Sequence, residues 1–325
     1  MKLYKYHGAG NDFLLLDGRE SPVELSPERV AALCDRHTGV GSDGLMVLSE
    51  ASGSDFKMDF YNPDGSGGMM CGNGGRCIVA FARDLGIQPS EGGRYVFEAP
   101  DGPHWAEVLS DEGRVKTIRL GMKDVVDCHP VALSHPISSA HAPSVIPGQA
   151  PSVISGQAPS GIPGQAPSGI PGRGPSVIPG RVPGISRGWY IDTGTRHFVT
   201  FVPSVERLKV EKVGRTIRRL PQFGPVGVNV NFVEILSPTE IAVRTFEKGV
   251  EAETLACGTG ITASAIAASI ETGSSISAVT GTGLETILVH ARRHDLTVSF
   301  RPFTSLPVTG LTLTGPAERV AAICI

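Results

Sequence analysis

The sequence predicts an α+β fold that combines many short strands with a few helices. Most segments with a regular pattern are rich in β-branched and aromatic residues and are bounded by turn residues, which is typical of strands. The helical segments are few and do not alternate with the strands, so the pattern does not favour a series of βαβ units. With 325 residues, of which 40% are hydrophobic, the chain can form one large domain or two ordinary ones.

The predicted strands follow one another along most of the chain. Their Val, Ile, Thr, Tyr and Phe residues favour strands because branched and aromatic side chains pack well on a pleated surface. In chain order they cover 2–17, 55–61, 94–99, 115–120, 189–202, 228–236, 241–246, 284–290 and 296–300.

Three helices are predicted between these strands. The first covers 26–37, where Ser26 is suited to cap the N-terminus, Pro27 takes the first position and Glu28 lies in the first turn. The other two begin directly after Cys71 and Cys257, where a Gly-rich turn leads into small and apolar residues.

A proline- and glycine-rich repeat interrupts this pattern. Residues 142–181 contain five copies of an eight-residue unit, from APSVIPGQ to GPSVIPGR. Proline removes backbone donors, glycine weakens regular structure, and each copy has too few apolar residues to form a core. We therefore predict an extended, polyproline-like and largely disordered insertion. A docking segment for a proline-binding partner is the alternative.

The bulk composition argues against several classes of function. A formal net charge of −3 without basic runs does not suggest binding to nucleic acid or to anionic membranes. The N-terminal sequence lacks a signal-peptide pattern, and no stretch approaches the ~20 apolar residues that span a bilayer. We expect a cytoplasmic protein that acts on a small molecule, and the sequence leaves a homodimer open.

Six cysteines are spread along the chain without a C-x-x-C pair. This spacing does not support a metal site, and a disulfide framework is not expected in a long chain without a secretion signal. We interpret Cys34, Cys128 and Cys324 as small buried residues.

Two of the remaining cysteines begin similar motifs. Residues 71–74 read CGNG and residues 257–260 read CGTG, and each motif is followed by a small, apolar helical stretch. A cysteine at a helix N-terminus lies near unpaired N–H groups and the positive end of the helix dipole, which favour a thiolate. We therefore expect a lowered thiol pKa at both positions. Two unrelated Gly-rich helix starts with ordinary cysteines are the alternative at this stage.

If both helix N-termini face one cleft, the pair can invert a carbon centre. One thiolate would remove an α-proton from a bound amino acid, and the other thiol would deliver a proton to the opposite face. The N–H groups would bind the carboxylate, on which negative charge develops. Two cysteines and two helix N-termini are what this chemistry requires.

The sequence around Cys71 forms one long and specific motif. Residues 62–76 read NPDGSGGMMCGNGGR, which resembles the diaminopimelate epimerase signature N-x-D-G-S-x(4)-C-G-N-G-x-R. Further blocks that resemble this family are HGAGNDF at 7–13, TGVGSDG at 38–44, GVNVNF at 227–232, TFEKGVEAETLACGTG at 245–260 and TGPA at 314–317.

This resemblance implies the epimerisation of LL- to meso-diaminopimelate without a cofactor or metal, a step in lysine and peptidoglycan precursor synthesis. The implied fold has two similar halves, each a mixed sheet wrapped around a central helix, with the active site between them. The first half would comprise 1–118 and be completed by a strand at 310–325. The second half would comprise 119–309 and carry the repeat at 142–181.

The resemblance also assigns roles to individual residues. Cys71 and Cys257 would be the acid–base pair, and His197 and Glu247 would support them, with Glu247 also binding an ammonium group. The residues implied in substrate binding are Asn11, Asn62, Gly72, Asn73, Thr195, Asn229, Glu247, Lys248, Gly258 and Thr259.

Three positions depart from the family pattern. Lys248 stands where the family usually has Arg, so a planar fork that can grip a carboxylate becomes a point charge. Thr195 and Arg196 precede His197, where N-P-H or S-P-H is common. Gly44 stands where some members have a side chain that contacts substrate.

Other functions are compatible with parts of this pattern. A related cysteine-pair racemase, acting on proline for example, would share the paired thiols. A degenerate, non-catalytic paralogue could use the repeat as a binding module. A cysteine peptidase is disfavoured because neither cysteine has the sequence context of a Cys–His nucleophile pair.

Overall fold

The computed structural model describes residues 1–20, 24–90, 92–138, 184–274 and 283–325. The repeat at 142–181 lies outside these residues, so its predicted conformation stays a prediction. Among the described residues, no helix is long and apolar enough to cross a membrane.

The α+β prediction is confirmed, and the fold consists of two halves that each wrap a sheet around one helix. The strands are β1 Lys2–Gly8, β2 Asn11–Asp17, β3 Leu45–Ser49, β4 Phe56–Tyr61, β5 Arg94–Ala99, β6 Gly102–Glu112, β7 Val115–Gly121, β8 Asp127–Ile137, β9 Ile185–Asp192, β10 Arg196–Phe201, β11 Asn229–Ser237, β12 Glu240–Glu247, β13 Ala252–Thr254, β14 Glu285–His290, β15 Asp295–Phe300 and β16 Thr312–Cys324. The helices are α1 Pro27–Cys34, α2 Gly72–Asp84, α3 Val210–Arg218 and α4 Gly258–Thr272.

The first half closes on itself around α2. Strands β1 to β7 lie in sequence order, and β16 pairs antiparallel with both β7 and β1. Helix α2 is buried over almost its whole length, and Ile78 and Phe81 pack among the aromatic side chains of Phe56, Tyr95 and Phe97. A central helix with no exposed face follows from its small and apolar sequence.

The second half surrounds α4 in a similar way. Its strands lie in the order β15, β14, β12, β11, β10, β9 and β8, and Ile261 and Ile266 of α4 pack on Val233, Val243 and Val289. Helix α3 covers the opposite face of β11 and β12. The N-terminal part of β16 also pairs with β15, so this strand joins the two sheets. The chain division at 118/119 remains our proposal.

Two predicted strands are wrong in extent because each contains a tight turn. Segment 2–17 is the hairpin β1–β2, which reverses at Ala9 and Gly10 with φ of 56° and 91°. Segment 189–202 is split into β9 and β10 at Gly194, whose φ is 95°. Because apolar residues continue on both sides of each turn, the sequence pattern did not indicate that the strand ends there.

The interpretation of three cysteines as buried residues is only partly confirmed. Cys34 is buried, whereas Cys128 is half-buried and Cys324 is exposed. Cys324 is the last residue of β16.

Candidate active site

The two cysteine motifs meet where the N-termini of α2 and α4 abut. Cys71 and Cys257 are the N-cap residues of these helices, as predicted. A Cβ atom placed on Gly258 would lie 3.0 Å from the Cα of Gly72, and one on Gly72 would lie 3.3 Å from the Cα of Gly258. Because consecutive Cα atoms are about 3.8 Å apart, this contact places the Cα atoms of Cys71 and Cys257 within roughly 12 Å of each other. The two helix N-termini therefore form one site.

The two caps differ in how they hold the sulfur. The Cys71 Sγ accepts a hydrogen bond of 3.3 Å from the N–H of Gly74 and so closes the first turn of α2. Cys257 makes no such cap, and its Sγ lies 3.5 Å from the hydroxyl of Thr259. The similar sequences therefore create two unlike environments for the thiols.

The expectation of lowered thiol pKa values is wrong for the protein without substrate. Burial raises the pKa of Cys71 to about 11, although the N–H groups of Gly74 and Asn73 act in the opposite direction. Burial raises the pKa of Cys257 still further, and the negative charge of Glu247 adds to the rise at both sulfurs. The desolvation of a buried anion outweighs the attraction of the helix N-terminus at both positions.

We expect Cys71, which has the lower thiol pKa, to be alkylated faster than Cys257. Only the thiolate reacts with iodoacetamide, so the alkylation rate of Cys71 should rise about tenfold per pH unit with no plateau below about pH 11. Below about pH 11, Cys257 should react more slowly than Cys71, because its pKa is raised further. Mass spectrometry of the two peptides measures both rates, and a plateau near neutral pH at either cysteine would contradict the assignment.

A buried arginine lies directly beside Cys71. Arg76 is fully buried in α2, and its guanidinium donates to the carbonyl of Gly72 at 3.0 Å and to Oδ1 of Asn73 at 2.9 Å. Burial lowers the pKa of Arg76 to about 10, and its positive charge favours the thiolate form of Cys71. Arg76 belongs to the quoted signature, but no role could be assigned to it from the sequence alone.

Asn73 connects the two halves of the site. Its Nδ2 donates to the carbonyl of Ala256 at 2.9 Å, next to Cys257, and to Oδ1 of Asn11 at 3.2 Å. The amide of Asn11 in turn donates to Asp43 at 2.7 Å. The side chain of Asn73 is thus engaged in joining α2 to the second cysteine motif.

Glu247 interacts electrostatically with both cysteines, and Lys248 interacts electrostatically with His197. Burial raises the pKa of Glu247, and its charge acts on both cysteines. The charge of Lys248 acts on His197, whose pKa is lowered to about 3 mainly by burial. The backbone N–H of Lys248 donates to Oδ1 of Asn229 at 2.8 Å, which fixes the end of β12 against β11.

Asn62 and Gly44 are less directly tied to this cluster. The amide of Asn62 donates within its own loop, to Ser66 Oγ at 3.0 Å and to the carbonyl of Gly67 at 3.3 Å. A Cβ atom at Gly44 would lie 3.0 Å from the carbonyl oxygen of Tyr61, so this position is tightly enclosed.

The strands beneath α4 supply two polar residues that no sequence motif assigned, Asn231 and Thr245. Asn231 is fully buried and donates to Nδ1 of His197 at 3.0 Å, and it accepts from Thr245 at 2.9 Å. Asn229 and Asn231 are two residues apart on one strand, so their side chains face the same side of the sheet. That period of two was visible in the block GVNVNF and could have identified Asn231.

Comparison with known proteins agrees with this geometry. A family model described as Diaminopimelate epimerase matches residues 3–125 and 189–301. The chain belongs to the diaminopimelate epimerase family. The unmatched interval between these ranges contains the repeat.

Two relatives named diaminopimelate epimerase are similar over most of their length. The protein from Flavobacterium psychrophilum is 34% identical over 98% of this chain and 98% of its own. The protein from Chlorobaculum tepidum is 36% identical over 80% of both chains. A solved structure of a phenazine biosynthesis protein of the PhzF family from Bacillus anthracis has a TM-score of 0.62 at 12% identity, covering 99% of this chain and 98% of that one. At this identity the structure shows a shared fold.

Proposed function

We propose that this isomerase interconverts LL- and meso-diaminopimelate, with Cys71 and Cys257 as the acid–base pair. The proposal is supported above all by the contact between Gly72 and Gly258, the first residues of two helices whose N-cap residues are Cys71 and Cys257. The names of the relatives supply the substrate. No cofactor is required, because the thiols and the helix N–H groups supply the functional groups of the reaction.

The proposed reaction transfers one proton on each face of the α-carbon. One sulfur, as thiolate, takes the α-proton, and the other sulfur, as thiol, gives its proton to the opposite face. The carbanion is delocalised onto the carboxylate, which lies against the first N–H groups of α2 and α4. The reverse reaction exchanges the two roles, so neither cysteine is the base in both directions.

The thiolate has to form in the complex with substrate. With a pKa of about 11, only about one Cys71 in a thousand is ionised at pH 8. An α-ammonium group bound by Glu247 would offset the carboxylate that raises both thiol pKa values, and its own charge would favour a thiolate. Substrate binding therefore assists the ionisation that starts the reaction. The cytoplasm would keep both thiols reduced.

Glu247 and Lys248 also favour diaminopimelate over proline as the substrate. Glu247 lies near the thiols and would hold the ammonium group at the reacting centre. Lys248 would bind the distal carboxylate, and Asn11, Asn62 and Asn229 would bind the remaining polar atoms. Proline has no distal carboxylate for Lys248 to bind.

The substrate is tested by offering LL-diaminopimelate and L-proline to the purified protein and measuring epimerisation of each. We expect turnover of diaminopimelate and none of proline. Turnover of proline alone would overturn the proposed substrate while leaving the paired thiols intact.

Lys248→Met should raise KM for diaminopimelate about tenfold, because a charge-assisted hydrogen bond to a carboxylate is lost. The kcat should change little, since the distal carboxylate does not take part in proton transfer. Lys212→Met, on the exposed face of α3, is the matched control. Steady-state kinetics measure both constants. An unchanged KM in Lys248→Met would show that Lys248 does not bind the substrate.

A further inference from the structure

A continuous chain of hydrogen bonds connects His197 to Cys257. Nε2 of His197 lies 2.8 Å from the hydroxyl of Thr195, which lies 3.1 Å from the hydroxyl of Thr259. The hydroxyl of Thr259 is in turn 3.5 Å from Sγ of Cys257. The chain runs from β10, through the turn before it, to the first turn of α4.

The groups behind His197 fix the direction of this chain. Thr245 donates to Oδ1 of Asn231, so the amide nitrogen of Asn231 faces Nδ1 of His197. An amide nitrogen can only donate, so Nδ1 accepts and the single proton of a neutral imidazole is on Nε2. His197 is neutral because burial, reinforced by Lys248, lowers its pKa to about 3.

Each hydroxyl then donates towards the sulfur. The Nε2–H of His197 donates to the hydroxyl of Thr195. The hydroxyl of Thr195 then donates to the hydroxyl of Thr259. Thr259 is left with its proton for Cys257 Sγ. Hydrogen bonds aligned in one direction polarise one another, so the last donor is strengthened.

Packing holds the chain in place. His197, Asn231 and Thr245 come from three adjacent strands, β10, β11 and β12. A Cβ atom on Gly260 would lie 2.3 Å from Oδ1 of Asn231 and 3.3 Å from Cε1 of His197, so α4 rests directly on this group. The positions of the donors are therefore set by the fold before any substrate binds.

We propose that Thr195 is a positioning residue, which relays a hydrogen bond from neutral His197 through Thr259 and thereby stabilises the thiolate of Cys257. The proposal deepens the proposed function, on which it rests for the role of Cys257. In this proposal Thr195 orients a hydrogen bond towards Cys257, whereas the resemblance implies that Thr195 contacts the substrate. The negative charges of Glu247 and Cys71 act on the Cys257 sulfur and disfavour its thiolate. The positive charge of Lys248 acts on His197 and favours its neutral form.

The test measures alkylation of Cys257 by iodoacetamide without substrate, so its result does not depend on which amino acid the enzyme uses. In a Cys71→Ser background, Thr195→Val should lower the alkylation rate at pH 9 about tenfold, because less thiolate is present. Thr195→Ser should restore the rate. Thr193→Val is the matched control and should leave the rate unchanged, because its hydroxyl donates to the backbone carbonyl of Thr259, at 3.3 Å, and not to the Thr259 hydroxyl.

Three results would overturn the relay. One is an unchanged alkylation rate in Thr195→Val, together with a raised KM in the enzyme with both thiols, which would make Thr195 a substrate contact. The second is an equal loss of rate in Thr195→Val and Thr195→Ser. The third comes from the unsubstituted protein: ¹⁵N NMR of labelled histidine should show the His197 proton on Nε2, and a proton on Nδ1 would reverse the chain. If the alkylation and NMR results are as expected but diaminopimelate is not turned over, the proposed substrate is wrong and the relay stands.

Discussion

Replacement of either Cys71 or Cys257 by alanine is expected to slow epimerisation of diaminopimelate by about 10²–10⁴-fold in both directions. Each direction needs one sulfur as base and the other as acid, so the loss of either one removes a proton-transfer step. The measurement is the initial rate from LL- and from meso-diaminopimelate for each variant.

Cys324→Ala is the control for this pair, since Cys324 is exposed at the end of β16 and away from both helix N-termini. It should leave both rates unchanged. A Cys71 or Cys257 variant that keeps a rate within tenfold of the unsubstituted enzyme, about 1.4 kcal/mol of barrier, would show that one thiol is dispensable.

Gly258→Ala is expected to lower activity about 100-fold and the free energy of unfolding by about 1–3 kcal/mol. The added Cβ would lie 3.0 Å from the Cα of Gly72 and 3.1 Å from Cδ2 of Leu313. The Leu313 side chain can rotate, whereas the Cα of Gly72 cannot move without shifting α2. The two helix N-termini, and the cysteines that cap them, would be forced apart. Kinetics and denaturant unfolding measure the two effects separately.

Gly72→Ala provides a matched comparison because its nearest obstacle is a side chain. Its Cβ would meet Cδ2 of Leu313 at 2.8 Å, whereas the backbone of Gly258 is further away at 3.3 Å. Leu313→Val should therefore restore more of the activity lost in Gly72→Ala than of that lost in Gly258→Ala. In Gly258→Ala the Cβ also meets Cδ2 of Leu313, at 3.1 Å, but its contact with the Gly72 backbone at 3.0 Å stays. Equal rescue of both variants would mean that the backbone contact does not set the geometry. Gly67→Ala, where a Cβ meets nothing within 4 Å, should leave the free energy of unfolding unchanged.

Local sequence was sufficient for the features that depend on a few neighbouring residues. The motifs CGNG and CGTG predicted helices that begin after Cys71 and Cys257, and both do. The reason is that N-cap preference and the switch from glycine to small apolar residues act within a single turn. The longer resemblance supplied the candidate residues around these turns, including Glu247 and His197.

Features that depend on tertiary burial were not predictable in the same way. The helix N-terminus suggested a lowered thiol pKa, but the sequence does not show that the fold buries Cys257 and half-buries Cys71, which raises both pKa values. The contact between Gly72 and Gly258 joins residues from distant parts of the chain. The orientation of Thr195 depends on His197 and Thr259, which come from different elements.

In the proposed reaction, two different groups exchange protons with opposite faces of one carbon. Epimerisation of LL-diaminopimelate in deuterated water tests this exchange, with analysis of substrate and product at low conversion. We expect meso-product with deuterium at the inverted α-carbon and unreacted LL-substrate that still carries protium. Product that retains the original proton would mean that one group removes and returns it, and would overturn the two-base reaction.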